Sequence, residues 1–232
     1  MQIGGFQKMT MLDFPGKIAA TVFTYGCNLR CPFCHNASLV IDENQLFSED
    51  EILSYLDNRK KILDGVCISG GEPMLQADLF DFIKKIKSMG YLVKLDTNGT
   101  FPTKLKEAID QGLIDYVAMD IKNCREKYAL TAGRCCDSSE FDIEKIEKSV
   151  EILMSSGIDY EFRTTVTREL HTPEDFVKIG EWIKGAKRYY IQNFVDSGNL
   201  IENSSTPLDT QELKALLSAV SPYVEHASFR GS

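Results

Sequence analysis

Three cysteines near the start of the chain have the types and the spacing of a metal-binding loop. Cys27, Cys31 and Cys34 follow the pattern C-x3-C-x2-C and come directly after the apolar run 19–23, which predicts a loop at the end of a strand. Their thiolates can hold three corners of an iron–sulfur cluster, whereas a cubane cluster normally takes four cysteines. Because no fourth cysteine lies nearby, one iron would be left for a substrate or a cofactor.

A structural zinc site and unmetallated thiols are the alternatives. Closed zinc sites use four ligands, commonly as two pairs, and no second pair follows this loop. His35 could be a fourth ligand only if it and its neighbour Cys34 both reached one metal, which is sterically awkward. The spacing favours a cluster and leaves zinc open.

A glycine-rich turn follows the next predicted strand, with the sequence Gly70-Gly71-Glu72-Pro73. Two glycines let the backbone approach a ligand closely, Glu72 can accept a hydrogen bond from an ammonium group, and Pro73 cannot continue the strand. The same four residues also suit an ordinary strand-to-helix turn. Their position about 35 residues after the cysteine loop favours a binding role.

Polar residues also follow the third and fourth predicted strands. Asp96, Thr97 and Asn98 follow one strand, and Asp120 and Lys122 follow the other. The first group could be only a helix cap and a turn, and the second only a solvated charge pair. An acid directly after an apolar strand is nevertheless expected at the mouth of a parallel sheet, where such folds place their sites.

The last two predicted strands carry further candidates. Arg163 interrupts an apolar strand pattern and therefore needs an anionic partner, either a ligand carboxylate or Asp120 or Glu161. Gln192 and Asn193 offer uncharged hydrogen-bonding groups that suit the edge of a base, although a loop amide is an alternative.

Composition limits the class of protein. The chain has 232 residues, is 43% hydrophobic and carries a formal charge of −8. This length suits one sizeable core, and we expect a single domain over 1–232. The acidic balance, with a pI near 5.0, argues against a nucleic-acid binder or a protein of anionic membranes.

The chain start and the cysteine usage indicate a reducing compartment. Residues 1–8 contain no apolar signal region, and no apolar run reaches membrane-spanning length, so we expect a cytoplasmic protein. Seven cysteines, three of them in one loop, form a poor disulfide framework. Cys67 is expected to be a small buried residue, and Cys124, Cys135 and Cys136 to be oxidisable surface thiols.

The predicted elements alternate regularly and place every candidate residue. Strands are predicted at 20–25, 66–69, 92–95, 116–119, 159–164 and 188–191. Helices are predicted at 49–60, 77–89, 102–112, 142–156, 173–184 and 209–220. Six strands each followed by a helix predict an α/β fold with a parallel sheet. A turn at 13–16 predicts a short N-terminal hairpin within 1–19.

The cysteine loop resembles the signature of the radical S-adenosylmethionine (SAM) enzymes. Phe33 before the last cysteine and the following His35-Asn36 most resemble the activating enzymes of glycyl radical enzymes. The whole chain, including Asp13-Phe14-Pro15-Gly16-Lys17, resembles the branch that activates anaerobic ribonucleoside-triphosphate reductase. The resemblance implies a partial (β/α)6 TIM-like barrel.

The resemblance also implies cofactors and site roles. Three cysteines would bind a [4Fe–4S] cluster whose fourth iron is chelated by SAM, and one electron would split SAM into methionine and a 5′-deoxyadenosyl radical. The residues implied to bind SAM, or a monovalent cation beside its carboxylate, are Phe33, Gly70, Gly71, Glu72, Pro73, Asp96, Thr97, Asn98, Asp120, Lys122, Arg163, Gln192 and Asn193. No side-chain acid or base is required.

The implied partners are proteins. One is an anaerobic ribonucleotide reductase that inserts its glycine loop, and the other is a flavodoxin or ferredoxin that donates the electron. Activation of another glycyl radical enzyme, or modification of another peptide, is the alternative within this chemistry. A noncatalytic iron–sulfur or zinc protein is the alternative outside it.

Overall fold

The computed structural model describes residues 1–41, 46–133, 141–196, 198, 200–201 and 205–230. Its centre is one sheet whose strands lie side by side in chain order, so that β1 and β8 form the two edges. The strands are β1 Ile3–Thr10, β2 Ala19–Thr24, β3 Gly65–Gly70, β4 Leu92–Thr97, β5 Tyr116–Asp120, β6 Asp159–Val166, β7 Tyr189–Asn193 and β8 Ala227–Phe229. β1 is antiparallel to β2, and every later pair is parallel.

The six predicted strands are present as β2 to β7, each within two residues of its predicted ends. The N-terminal hairpin is longer than expected, because β1 pairs along β2 itself, from Ile3 opposite Thr24 to Thr10 opposite Ala19. β8 was not predicted, since it has three half-buried residues and no apolar run. The open, mostly parallel sheet confirms the expected α/β partial barrel.

Helices connect successive parallel strands, as the alternation predicted. They are α1 Ala37–Ile41, α2 Glu49–Asp57, α3 Leu79–Ser88, α4 Pro102–Asp110, α5 Tyr128–Thr131, α6 Ile143–Ser155, α7 Pro173–Trp182 and α8 Thr210–Val220. Capping boxes at Ser48, Thr172 and Asp209 start α2, α7 and α8, because each side chain satisfies an otherwise unpaired amide.

The core lies between these helices and the sheet. α3 buries Phe82, Ile83 and Ile86 completely, while Lys84 and Lys85 face solvent. Trp182 on α7 packs against the core beside Tyr128. Among the helices of the described residues, none combines the length and the apolar character needed to cross a bilayer.

Candidate active site

A cavity of about 260 Å³ lies where the parallel strands end. β3, β4 and β5 end at Gly70, Thr97 and Asp120, and all three residues line the cavity. The full lining comprises Cys27, Leu29, Cys31, Phe33, Cys34, His35, Asn36, Val40, Ser69, Gly70, Gly71, Asp96, Thr97, Asn98, Asp120, Lys122, Arg163, Thr165 and Gln192. Residues separated by up to 165 positions in the chain therefore meet in one place.

The cysteine loop forms one wall of this cavity. Cys27, Cys31 and Cys34 are free thiols that all line it. Burial raises the pKa of Cys27 to about 12 and also raises that of Cys31. The thiols of Cys27 and Cys31 therefore keep their protons until a metal displaces those protons.

The donor set of three thiols fits an iron–sulfur cluster. Within the described residues, no group of three or more His, Cys, Asp or Glu side chains is placed to hold one metal ion. A closed zinc site needs four such ligands around one ion. The three thiols of a cluster each bind a different iron, so they do not have to converge on one point.

The glycine turn joins the cysteine loop to the sheet. The amide of Gly71 donates to the carbonyl of Thr24 (3.0 Å), and the amide of Glu72 donates to that of Gly26 (2.8 Å). Gly70 has a φ of +118°, which other residues rarely adopt, and a Cβ at Gly71 would overlap the carbonyl oxygen of Gly26. The two glycines are required because two backbone segments touch here.

Glu72 lies behind the cavity wall. Its side chain is completely buried outside the cavity lining, and its oxygens accept from the amides of Met74 (3.0 Å) and Asn98 (2.6 Å) and the hydroxyl of Thr97 (2.9 Å). The side chain of Glu72 therefore ties two turns together. Pro73, also buried, starts the short helical turn that follows and does not line the cavity either.

Charged residues converge on the floor of the cavity. Arg163 donates from Nε to Oδ1 of Asp120 (2.6 Å), and its Nη2 lies 3.3 Å from Oδ2 of Asp96. Lys122 donates to the second oxygen of Asp120 (2.8 Å). The ion pair between Arg163 and Asp120, which was an alternative at the sequence level, is therefore present, and both residues also line the cavity.

These contacts favour the charged forms of Asp96, Asp120, Lys122 and Arg163. Burial alone would raise the pKa values of Asp96 and Asp120, but Arg163 outweighs it with help from Lys94 and Lys122, and both stay below their ordinary range. Burial alone would lower the pKa of Arg163, yet Asp120 and Asp96 raise it. Ion pairs this enclosed have little solvent screening.

Lys94 was not anticipated. It lies within β4, is completely buried, and forms an ion pair with Oδ1 of Asp96. Its Nζ also lies 3.6 Å from the sulfur of Cys67. A lone lysine in a strand is typical of a solvent-facing position, so the period-two pattern alone hides it. The signal that could have revealed it is the acid two residues later, because residues i and i+2 share one face of a strand.

The turn after β4 also contacts the cysteine loop. The side-chain nitrogen Nδ2 of Asn98 lies 3.8 Å from the sulfur of Cys27 and donates to Oδ1 of Asn28 (2.9 Å). Phe33 lines the cavity and meets the ring of His171 edge to face, with centroids 6.3 Å apart. Both contacts hold the cysteine loop against the strand ends.

The side chains of Gln192 and Asn193 have different surroundings in the structure. Gln192 lines the cavity, whereas Asn193 does not, because its side chain donates to and accepts from the backbone of Leu208 (2.9 and 3.0 Å). Consecutive strand residues point to opposite faces, so this arrangement agrees with the alternative for Asn193, an amide that binds a loop. Thr165, two residues after Arg163, lines the cavity and was missed although the same alternation would have identified it.

The remaining cysteines lie elsewhere. Cys67 is fully buried, as expected. Cys124 is also buried and its thiol donates to Asp175 (3.4 Å), so the prediction of a surface thiol is wrong for this residue. Cys135 and Cys136 lie outside the described residues.

Comparisons with known proteins agree with this geometry. The family model described as "Radical SAM superfamily" matches residues 21–194, which include every residue that lines the cavity. A protein of Methanocaldococcus jannaschii, provisionally named a glycyl-radical enzyme activating enzyme, is 32% identical over 231 residues, which are 98% of this chain and 95% of the relative.

More distant proteins share part of the chain or only its fold. A pyruvate formate-lyase-activating enzyme of Clostridium pasteurianum is 35% identical over 129 residues, and the match covers 53% of this chain and 52% of the relative. The structure of Streptococcus suis SuiB bound to its precursor peptide SuiA superposes with a TM-score of 0.68 at 16% identity, over 90% of this chain and 47% of SuiB. The span of the family match and the near full-length relative show that this chain belongs to the radical SAM superfamily.

Proposed function

We propose that this protein is an activating enzyme that installs a glycyl radical in an anaerobic ribonucleoside-triphosphate reductase. Membership of the radical SAM superfamily implies SAM and an iron–sulfur cluster as cofactors. The observation that carries the proposal is that Cys27, Cys31 and Cys34 share one cavity with the charged residues at the strand ends.

The cysteine loop is suited to hold a [4Fe–4S] cluster with one open iron. Three thiols line the cavity, and the described residues offer no complete ligand set for a single ion. When bound, the reduced cluster and SAM together supply one-electron chemistry that breaks a carbon–sulfur bond and leads to removal of a hydrogen atom from the substrate. The protein's own contribution is binding, orientation and exclusion of water.

We assign the SAM site to the rest of the cavity lining. Arg163 and Lys122 place positive charge there, which favours the carboxylate of SAM, although both also bind Asp120. Gly70 and Gly71 let the backbone approach the methionine part closely. Gln192 is suited to the adenosine edge, because an amide offers both a donor and an acceptor.

The remaining lining residues complete this assignment. Asp96, Thr97 and Asn98 close the side of the cavity beside the glycine turn, and Phe33 provides an apolar surface in the cysteine loop. Their side chains are held by neighbours within the chain, for example Thr97 by Glu72. The site is therefore organised before a ligand binds, which reduces the entropic cost of binding.

A protein substrate suits the rim of this cavity. Leu75, Leu130 and Val195 follow β3, β5 and β7 at the same end of the sheet and are exposed by 38%, 49% and 66% of their surface. The relatives named as activating enzymes of glycyl radical enzymes support such a partner.

A different glycyl radical enzyme is the second candidate partner. The relative of Clostridium pasteurianum is named for pyruvate formate-lyase, and its match covers about half of this chain. The match to the archaeal relative covers nearly the whole chain, and its name specifies no partner. The reductase is proposed because the motif around Asp13 and Pro15 resembles that branch. A flavodoxin or ferredoxin is the proposed electron donor, in a reducing cytoplasm.

Electron paramagnetic resonance tests this proposal. The protein is reconstituted anaerobically with iron and sulfide, reduced, and mixed with SAM and either an anaerobic reductase or a pyruvate formate-lyase. A glycine-centred radical that appears only with the reductase is expected, and a Cys34→Ala protein should yield none. A signal only with the formate-lyase would transfer the assignment to the second candidate. No radical with either enzyme, although SAM is consumed, would contradict both assignments.

A further inference from the structure

We propose that the ammonium group of Lys94 is a built-in cation of the SAM site, standing beside Asp96 where the family resemblance implies a bound monovalent cation. This inference rests on the proposed SAM site and adds a residue to it. It follows that SAM binding by this protein does not require potassium or sodium ions.

The position of Lys94 is the first observation. Its side chain is 1% exposed, within the central strand β4, and its Nζ contacts Oδ1 of Asp96 and approaches the sulfur of Cys67 (3.6 Å). A lysine so deeply buried is retained only when an acid pairs with it, because an isolated interior charge is strongly unfavourable. Asp96 is that acid, and it lines the cavity.

The second observation concerns the oxygen atoms that would have to bind a cation, and the partners that they already have. A hard cation needs several oxygen ligands, and the resemblance assigns that role to the acids Asp96 and Asp120. The second oxygen of Asp96 accepts from Ser69 (3.0 Å) and lies near Arg163. Because both oxygens of Asp96 already bind donors of the chain, this carboxylate does not fit an added cation.

Asp120 completes this observation. Its Oδ1 accepts from Arg163 (2.6 Å) and its Oδ2 accepts from Lys122 (2.8 Å). A metal ion could bind Asp120 only by displacing a buried, charged donor. That exchange removes a charge-assisted hydrogen bond and leaves the displaced cation without its partner.

The charges at the cavity floor and directly behind it are the third observation. Asp96 and Asp120 contribute two negative charges, and Lys122 and Arg163 contribute two positive ones at the floor. Lys94 does not line the cavity, but it adds a third positive charge behind Asp96. The excess of one positive charge favours one incoming carboxylate group, such as that of the methionine part of SAM. Without Lys94 the same set would be neutral.

Binding measurements test this directly. The affinity of the anaerobically reconstituted protein for SAM is measured by equilibrium dialysis in potassium chloride and in choline chloride at equal ionic strength. Choline is too large to enter a site made for a potassium ion. We expect dissociation constants within about twofold of each other. A loss of tenfold or more in choline would overturn the proposal.

Two substitutions test the charge itself. Lys94→Met keeps the length and apolar stem of the side chain and removes its charge, and we expect SAM binding to weaken by about tenfold or more in both salts. Lys94→Ala leaves space, so potassium should restore part of the binding lost in choline. A purely structural role would not respond to the salt. Lys106→Met, a lysine on the exposed face of α4, is the control and should change nothing.

The outcomes separate this proposal from the proposed function. If the reconstituted protein bound no SAM in either salt, the proposed function would fail first. Crystals grown in rubidium chloride then decide about Lys94, because rubidium replaces potassium and scatters anomalously. An anomalous peak beside Asp96 would overturn the proposal, and the ammonium of Lys94 at that place with no peak would support it. Wild-type affinity in Lys94→Met would also contradict it.

Discussion

The side chain of Glu72 accepts a hydrogen bond of 2.6 Å from the backbone amide of Asn98. This contact joins the turn after β3 to the turn after β4, and both turns border the cavity. It explains why a carboxylate stands in a fully buried position, since three donors converge on it. Glu72 therefore shapes the site without facing it.

The first prediction concerns this contact. At pH 8, where Glu72 is ionised, Glu72→Gln replaces one acceptor oxygen by an NH2 group that faces a donor, so we expect the free energy of unfolding to fall by about 1–3 kcal/mol. Urea denaturation measures the change. Glu107→Gln, on the exposed face of α4, is the matched control and should cost less than about 0.5 kcal/mol. Equal losses in both variants would contradict the role of Glu72.

The second prediction concerns pH. Burial raises the pKa of Glu72 to about 7, against its three hydrogen bonds, which lower it. The folded protein then holds a proton that the unfolded chain releases near its ordinary pKa of about 4.3. Because the folded state binds more protons between these values, the contribution of Glu72 to stability falls as the pH rises from about 4.3 to 7 and is constant above.

The difference in the free energy of unfolding between the wild type and Glu72→Gln isolates the contribution of Glu72. The free energy of unfolding is measured for the wild type and for Glu72→Gln from pH 4.5 to 8.5. We expect the stability advantage of the wild type to shrink up to about pH 7 and then to stay level. An advantage that grows with pH would show that Glu72 is ionised throughout.

The third prediction concerns Arg163. Arg163→Met removes the charge that contacts both Asp96 and Asp120, so SAM should bind at least tenfold more weakly in equilibrium dialysis. Arg188→Met is the matched control, because Arg188 pairs with the exposed Asp159 outside the cavity. A comparable loss of affinity in both variants would remove Arg163 from the site.

The fourth prediction concerns the glycine turn. A Cβ at Gly71 would overlap the backbone of Gly26, and neither segment can move without disturbing the cysteine loop. Gly71→Ala should destabilise the protein by about 1–3 kcal/mol and reduce iron incorporation. In Gly5→Ala the new methyl group would meet only the side chain of Phe23, at 3.2 Å. Normal iron content in Gly71→Ala would contradict this account.

The fifth prediction concerns the cluster ligands. Alanine at Cys27, Cys31 or Cys34 should reduce the iron bound after reconstitution to a small fraction of the wild-type amount, as measured by iron and sulfide analysis. Cys67→Ala is the control, because this thiol is buried outside the cavity lining. Iron retained at the wild-type level in any of the three loop variants would exclude that cysteine as a ligand.

The sequence was sufficient to predict most strands of the sheet. Apolar runs of four to eight residues located β2 to β7, because parallel strands buried on both faces read as continuous apolar segments. β8 was missed because Ala227, Ser228 and Phe229 form no such run. The antiparallel partner β1 was underestimated, since Gly4 and Gly5 weaken the strand pattern even though they let Tyr25, Leu39 and Phe23 pack closely.

The site was less accessible than the fold. Motif position identified which residues follow the strands, but it did not show which way each side chain points. Glu72 and Asn193 therefore turned out to bind the chain itself, and Lys94 became visible only through its contact with Asp96. Such choices depend on pairing between strands distant in sequence, which one sequence does not display.

Release of 5′-deoxyadenosine tests the central claim most directly. The reconstituted protein is incubated anaerobically with SAM and dithionite, and the nucleoside is quantified by chromatography, with Cys34→Ala as the control. The account predicts 5′-deoxyadenosine from the wild-type protein only when SAM and reductant are both present, and none from the variant. A wild-type protein that binds four irons and SAM, yet releases no 5′-deoxyadenosine under reduction, would contradict it.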